Sequence, residues 1–332
     1  MAKLPIETVN PLFGLVLYPI AEEIKDKQLD VIWTSKEVPV EKDVHDFRFN
    51  MLPEQYSMAS VTLDLFVEIE QKVGNVWNTI GTWLPHSEID GACSIISAME
   101  KSVHASFYQK MADEMNIPPE VTAANQQTIT VLRHKLELLN RITSNLEANK
   151  PLSFATVAII EQVLLFSNFA MLKSFQANGN NLITNTVTGV DFVVQDEMLH
   201  GVFASYLHNT WWDEVGSVDS SHEHLVHNII REVIAHEDAV IDFIYKDIKS
   251  INDVTPAQLK AFTRSRADIV LEDMKLSTLY GITTNPIAEW FYKSASSIRI
   301  HDFFVSGTSQ YRRGWKTENL SRLQLIKGVT NV

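Results

Sequence analysis

Gln195-Asp196-Glu197-Met198-Leu199-His200-Gly201 is the stretch on which the reading of this chain turns. It follows Gly179-Asn180-Asn181 inside a long run of helical periodicity. Residues three apart on a helix share a face, so Glu197 and His200 can reach one metal ion. Alone, such an ExxH pair describes many solvated helix faces. A second pair weighs against that reading: Glu100 and His104, four apart, share a face of another predicted helix. Two more acids sit among apolar neighbours, Glu161 within Ile159-Ile160-Glu161-Gln162-Val163-Leu164 and Glu68 within Phe66-Val67-Glu68-Ile69. Glu70 is a rival for the place of Glu68. A buried carboxylate is costly unless it is paired or ligates a metal. The plainer alternatives are a salt bridge for Glu161 and a partly exposed helix acid for Glu68.

Four helices that each offer a carboxylate, two of them also a histidine, carry the ligand inventory of a dinuclear site in a ferritin-like bundle. Oxygen and imidazole donors suit iron or manganese. The rest of the chain agrees with an all-α fold. Its 12 glycines and 11 prolines cluster at element ends, and helices are expected at about 54–73, 87–116, 124–148, 152–177, 181–209, 220–249 and 255–280. Ser87, Thr122, Ser153 and Thr255 are candidate N-caps. From Ser306 onward the pattern dissolves into polar and basic residues, so we expect a helical domain over 1–305 and a flexible tail over 306–332.

A formal net charge of −13 argues against a nucleic-acid or anionic-membrane partner. The single cysteine, Cys93, leaves no disulfide framework or zinc knuckle and fits a reducing cytoplasm. The apolar run Pro11 to Ile20 is broken by Gly14 and Pro19 and lacks a small-residue cleavage site, so it does not read as a secretory signal. Phe154 to Phe175 is long enough to span a membrane, but it carries Glu161, Gln162, Asn168 and Lys173, so a core helix is expected. His222, His224 and His227 read as a capped helix start after Ser220-Ser221 rather than a metal clip.

At this point the residues resemble a family, the small subunit of class I ribonucleotide reductase, and its class Ib branch most of all. His104-Ala105-Ser106-Phe107-Tyr108 is similar to the family's histidine ligand followed by its radical tyrosine. Gln195 to Gly201 resembles its RDExxHG signature, and Glu161 with Leu165, Phe166 and Phe169 resembles the glutamate helix that lines the radical pocket. His301-Asp302-Phe303-Phe304 with Ser306-Gly307 and Ser309-Gln310-Tyr311 is similar to the class Ib HDFF-SGxGSSY segment, and Ile32-Trp33 with Glu37-Val38 to FWxPEE. The matches keep the family's order from about residue 30 to 312.

The resemblance implies Tyr108 as the radical site and His104, Glu161, Glu197 and His200 as metal ligands, to which the reading of the residues adds Glu68 and Glu100. It implies Trp33 and Asp196 as the first links of a radical path, with Tyr311 as the tail relay. It further implies a homodimer that works with a separate large subunit to reduce ribonucleotides, and it leaves open a flavoprotein activator. Taken singly, Tyr108 and Trp33 could each be core aromatics.

One departure matters. The family's glutamate stands three residues before the histidine, and here that position is Lys101. Either an inserted residue forms a π-bulge and Glu100 takes the ligand role, or Lys101 replaces the ligand and its ammonium neutralises a metal-free radical site. The retained Glu161 and Glu197 favour the metal. Other expectations stay in view: a ferritin-like oxidase acting alone, and an inactivated, partner-binding helical protein. The tail, Tyr311-Arg312-Arg313-Gly314-Trp315-Lys316 and onward, is less acidic than the family's docking segment.

Overall fold

A computed structural model describes residues 6–9, 15–215, 218–282 and 284–293. Among them the regular structure is helical, and the one strand-like feature is an isolated bridge between Ile251 and Val254. The helices are α1 (Pro19–Asp30), α2 (Pro53–Trp83), α3 (Ser87–Ala98), α4 (Ala105–Glu114), α5 (Pro119–Thr128), α6 (Thr130–Ile142), α7 (Lys150–Ile159), α8 (Phe166–Lys173), α9 (Thr184–Val215), α10 (Ser220–Ile244) and α11 (Pro256–Asp273).

Local chemistry sets many of these boundaries. Pro19, Pro53, Pro119 and Pro256 each open a helix, where a fixed φ helps and the missing N–H costs nothing. Thr255 caps α11 as expected: the Gln258 N–H donates to its hydroxyl at 3.3 Å, and the Gln258 side chain accepts from its N–H at 2.8 Å. The other expected caps fall elsewhere. Asn149 rather than Ser153 caps α7, and α5 has already begun at Pro119, ahead of Thr122. Ser87 is the first residue of α3, after His86. The opening of α9 is held from outside, because Asp43 accepts from the Thr186 N–H at 2.6 Å and from the Thr186 hydroxyl at 2.8 Å.

α2, α3 with α4, α7 with α8, and α9 form the inner bundle; α1 lies against α3 and α9, α10 covers α7 with α6 behind it, and α11 covers α8. The apolar stretch Leu146–Gln176 would suit a membrane by length and composition, yet its most apolar 18-residue window is wholly buried within this bundle. α1 was not among the expected helices, because Pro19, read as a breaker, instead starts one.

The helix expected over 124–148 breaks at Ile129 between α5 and α6, and two others widen part-way. The run read as 87–116 widens into a π-turn at Met99–His104, and the run read as 152–177 does so at Ile160–Leu164. Each π-turn carries one of the singled-out glutamates. The expected tail, with Tyr311 and the 301–304 motif, lies outside the described residues.

Candidate metal centre

Two overlapping groups of side chains converge at the bundle centre. Glu70, Glu100, His104 and Glu197 form one, and Glu100, Glu161, Glu197 and His200 the other; within each group the ligand atoms lie within 4.8 Å of one another. All six residues are fully buried. Glu100 and Glu197 belong to both groups and so lie between the two positions.

Glu68 does not join them. It is exposed on α2, whereas Glu70 is buried and its Oε2 lies 3.3 Å from His104 Nδ1. Two residues along an α-helix turn the side chain by about 200°, so only one of the pair can face inward. The expectation for Glu68 is therefore corrected to Glu70.

The π-turn at Met99–His104 resolves the displaced glutamate. Its extra residue turns Glu100 inward, with Oε1 2.8 Å from His200 Nδ1. Lys101 points elsewhere: its Nζ donates to Asn75 Oδ1 at 3.2 Å. Its stem passes over Gly74, where an added Cβ would come within 2.5 Å of Lys101 Cγ and 3.0 Å of Glu100 Cβ. Glycine at 74 thus lets α2 approach the π-turn closely.

The two histidines are oriented alike. His104 Nε2 donates outward to Asp196 Oδ2 at 3.1 Å, and His200 Nε2 donates outward to Gln28 Oε1 at 3.1 Å. Each therefore turns Nδ1 to the carboxylates, with a second hydrogen bond fixing the ring, as metal-ligating histidines are held. Gln28 links the two, since its Nε2 also donates to Asp196 Oδ1 at 3.1 Å. Asp196 further accepts from Trp33 Nε1 at 2.8 Å, so Trp33, Asp196 and His104 form a continuous hydrogen-bonded line.

Tyr108, four residues after His104, is fully buried and stacked on Phe66 with ring centroids 4.3 Å apart. Its hydroxyl has no hydrogen-bond partner. Burial, with the Glu70 charge adding to it, pushes this phenol well above its ordinary range, so it is held neutral.

The electrostatics call for positive charge. Burial raises Glu70 and Glu161 well above the usual carboxylate range, with neighbouring carboxylates pushing the same way. Burial alone would strip the proton from His104 and His200, but hydrogen bonds to Asp196 and Glu100 for the first, and to Glu100 and Glu161 for the second, raise both well above normal. Glu70 Oε1, Glu100 Oε2, Glu161 Oε2 and both oxygens of Glu197 make no well-formed hydrogen bond, and the last four only approach a histidine Nδ1, at 3.7, 3.8, 3.1 and 3.6 Å for Glu100 Oε2, Glu161 Oε2, Glu197 Oε1 and Glu197 Oε2. Buried carboxylate oxygens so poorly satisfied are what metal ligation would complete. Four carboxylates and two imidazoles fit a pair of hard or borderline divalent ions.

A family model described as the small chain of ribonucleotide reductase matches residues 15–286. The chain belongs to the ribonucleotide reductase small-chain family. Among relatives of the same family, a probable ribonucleoside-diphosphate reductase small subunit (376L) of Invertebrate iridescent virus 6 is 23% identical over 312 residues, covering 82% of this chain and 86% of the relative. The reductase subunit beta nrdF2 of Mycobacterium tuberculosis is 23% identical over 298 residues, covering 87% and 88%. The fold is also similar to that of dimanganese(II)-NrdF from Streptococcus sanguinis, with a TM-score of 0.73 at 17% identity over 86% of this chain and 99% of the other. The Rnr4 homodimer of Saccharomyces cerevisiae gives 0.73 at 16% identity, covering 89% and 92%. The protein is thus a ribonucleotide reductase small subunit with a ferritin-like fold, and its buried cluster fits the family's dinuclear metal site.

Two members of the site escaped the sequence reading. Trp77 donates its indole N–H to Glu161 Oε1, and Gln28 joins the two histidines. Trp77 had a signal, because it lies two helical turns after Glu70 on the same face of α2. Gln28 had none, sitting in a largely polar helix. His222 pairs with His208, Nε2 to Nε2 at 3.0 Å, and belongs to no metal group among the described residues.

Proposed function

We propose that this subunit keeps a stable radical on Tyr108 beside a dinuclear iron or manganese site held by Glu70, Glu100, His104, Glu161, Glu197 and His200. The oxidising equivalent then passes along His104, Asp196 and Trp33 toward the large subunit, with Tyr311 as the relay in the tail. The observation that carries this reading is the unbroken line from Trp33 through Asp196 to His104, with Tyr108 one turn beyond. When bound, redox-active ions would activate dioxygen or a reduced oxygen species, which supplies the oxidising equivalent. The chain's own residues do the rest. Losing an electron and its hydroxyl proton converts Tyr108 to a neutral radical, and the stacked Phe66 and the buried Phe107 and Phe169 keep water and reductants from it. Asp196 can pass a proton between Trp33 Nε1 and His104 Nε2 as charge moves along the line.

The position of Lys101, bonded to Asn75 outside the cluster, supports a metal site over a metal-free one. Within the family the class Ib branch is the closest fit in motif, and its dimanganese relative makes manganese a natural first trial. A cytoplasmic homodimer, loaded with or without a flavoprotein, completes the proposal.

Reconstitution with iron(II) or manganese(II), followed by metal analysis and electron paramagnetic resonance on one sample, tests it. About two ions per chain are expected, with a tyrosyl signal once dioxygen or a reduced oxygen species is added as the oxidant. Tyr108→Phe should keep the ions and lose the signal, along with activity in the presence of the large subunit. Full activity of that variant would overturn the radical assignment. Repeating the loading with a reduced flavoprotein present shows whether one is required.

A further inference from the structure

The turn that carries Glu161 is held in an unusual way. A π-turn widens the helix and tilts carbonyl oxygens out of the regular ladder, and those oxygens need other donors. At Ile160–Leu164 two of them are met by buried cations from neighbouring helices. Lys135, on α6 and fully buried, donates from Nζ to the Leu164 carbonyl at 2.9 Å. Arg266, on α11 and 2% exposed, donates from Nε to the Gln162 carbonyl at 3.1 Å and from Nη2 to the Gln162 side-chain oxygen at 2.8 Å.

Both cations are anchored in turn. Lys135 pairs with the fully buried Glu237 of α10 at 2.6 Å, and Ser167 donates to the same carboxylate. Arg266 lies over the Phe166 ring, 4.0 Å from its centroid, and reaches the Tyr292 hydroxyl at 2.8 Å. Gln162 has no room to move away, because its side chain lies against Gly201, where an added Cβ would come within 2.2 Å of Gln162 Cγ. Buried ion pairs are a poor source of stability, and apolar side chains of similar volume usually serve as well or better. Cations placed here are better understood as fixing a geometry.

We propose that Lys135 and Arg266 are positioning residues for Glu161: by holding the carbonyls of Leu164 and Gln162 they fix the π-turn that aims its carboxylate into the cluster. The inference rests on the dinuclear reading above and assigns these residues to one half of it. Glu161 belongs only to the group with Glu100, Glu197 and His200. Loosening its turn should therefore weaken one metal position and spare the other.

Manganese(II) titration of the metal-free, full-length protein, followed by electron paramagnetic resonance, tests this without any turnover assay. The variants are Lys135→Met/Glu237→Leu, which removes both charges and leaves no lone buried carboxylate, and Arg266→Met. Wild type should bind a spin-coupled pair. Each variant should bind its first ion as tightly as wild type and its second roughly 10- to 100-fold more weakly, the range seen when groups supporting a ligand are lost, with a mononuclear signal at intermediate loading. In a Glu161→Ala background the same changes should add nothing further. Folded variants that bind a coupled pair with wild-type affinity would overturn the positioning role, as would equal weakening at both positions. A wild type that binds no manganese would instead remove the dinuclear reading, and this inference with it. If the methionine variants do not fold, Lys135→Arg and Arg266→Lys keep the charge, shift the donor and carry the same comparison.

Discussion

Glu100 and Glu161 meet in one group of the cluster, each on a π-turn, yet the two turns are held by opposite means. The carbonyl of Lys101, in the first, accepts at 3.0 Å from Gln71, an exposed side chain on α2. The carbonyls of the second accept from Lys135 and Arg266, both buried. The outward connections differ as well. The half with Glu70 and His104 leads through Asp196 to Trp33 and stands beside Tyr108, whereas the half with Glu161 and His200 leads to Trp77 and Gln28. In the proposed function the first half carries charge, and in the proposed positioning the second is braced. A site with one braced side can let the other adjust without losing register, because packed interiors transmit strain rather than absorb it.

The sharpest way to break this contrast is to remove the residues that define it. Glu100→Ala should lose both ions, since Glu100 serves both groups, while Glu161→Ala should lose one and keep the position next to Tyr108. Metal analysis after gel filtration reads the difference, and loss of both ions from Glu161→Ala would erase the division into halves. A smaller effect is expected from Trp77→Phe, which removes the indole donor to Glu161 and keeps the aromatic body stacked on Phe203. Weakening of roughly 10-fold, confined to the second ion, is expected and can be followed by competition with a chelator. The least effect belongs to Lys101→Ala. With its ammonium on Asn75 rather than in the cluster, stability should stay within about 0.5 kcal/mol, as for an ordinary surface change, and metal content should not move. A lower metal content in that variant would show that Lys101 visits the site.

Much of this centre could be read before any coordinates, and the reasons are specific. Glu197 with His200 and Glu100 with His104 carry their geometry in their spacing, because helical periodicity turns sequence distance into direction. The π-turn under Glu100 was one of two readings of a single displaced residue, and only the fold chooses between them. Glu68 against Glu70 was not decidable in that way. From Met58 to Phe66 α2 buries residues around much of its circumference, so periodicity marks no unique inner face. The later pair, Gly74 against the π-turn and Trp77 against Glu161, was the missing reference. Lys135, Arg266 and Gln28 left no trace in the sequence. Their roles arise from contacts between helices far apart in the chain, and polar residues in amphipathic helices normally read as surface.

The buried Leu146–Gln176 stretch has a consequence for how the protein is made. It leaves the ribosome before α9, α10 and α11, the helices that cover it, have been synthesised. Chains emerge at roughly 5–20 residues per second, so for several seconds a segment apolar enough to pass for a membrane anchor lacks most of its final cover and has chiefly α2 to pack against. Synthesis is then a stage at which this segment is open to aggregation, and early shelter for it should raise the yield of folded subunit.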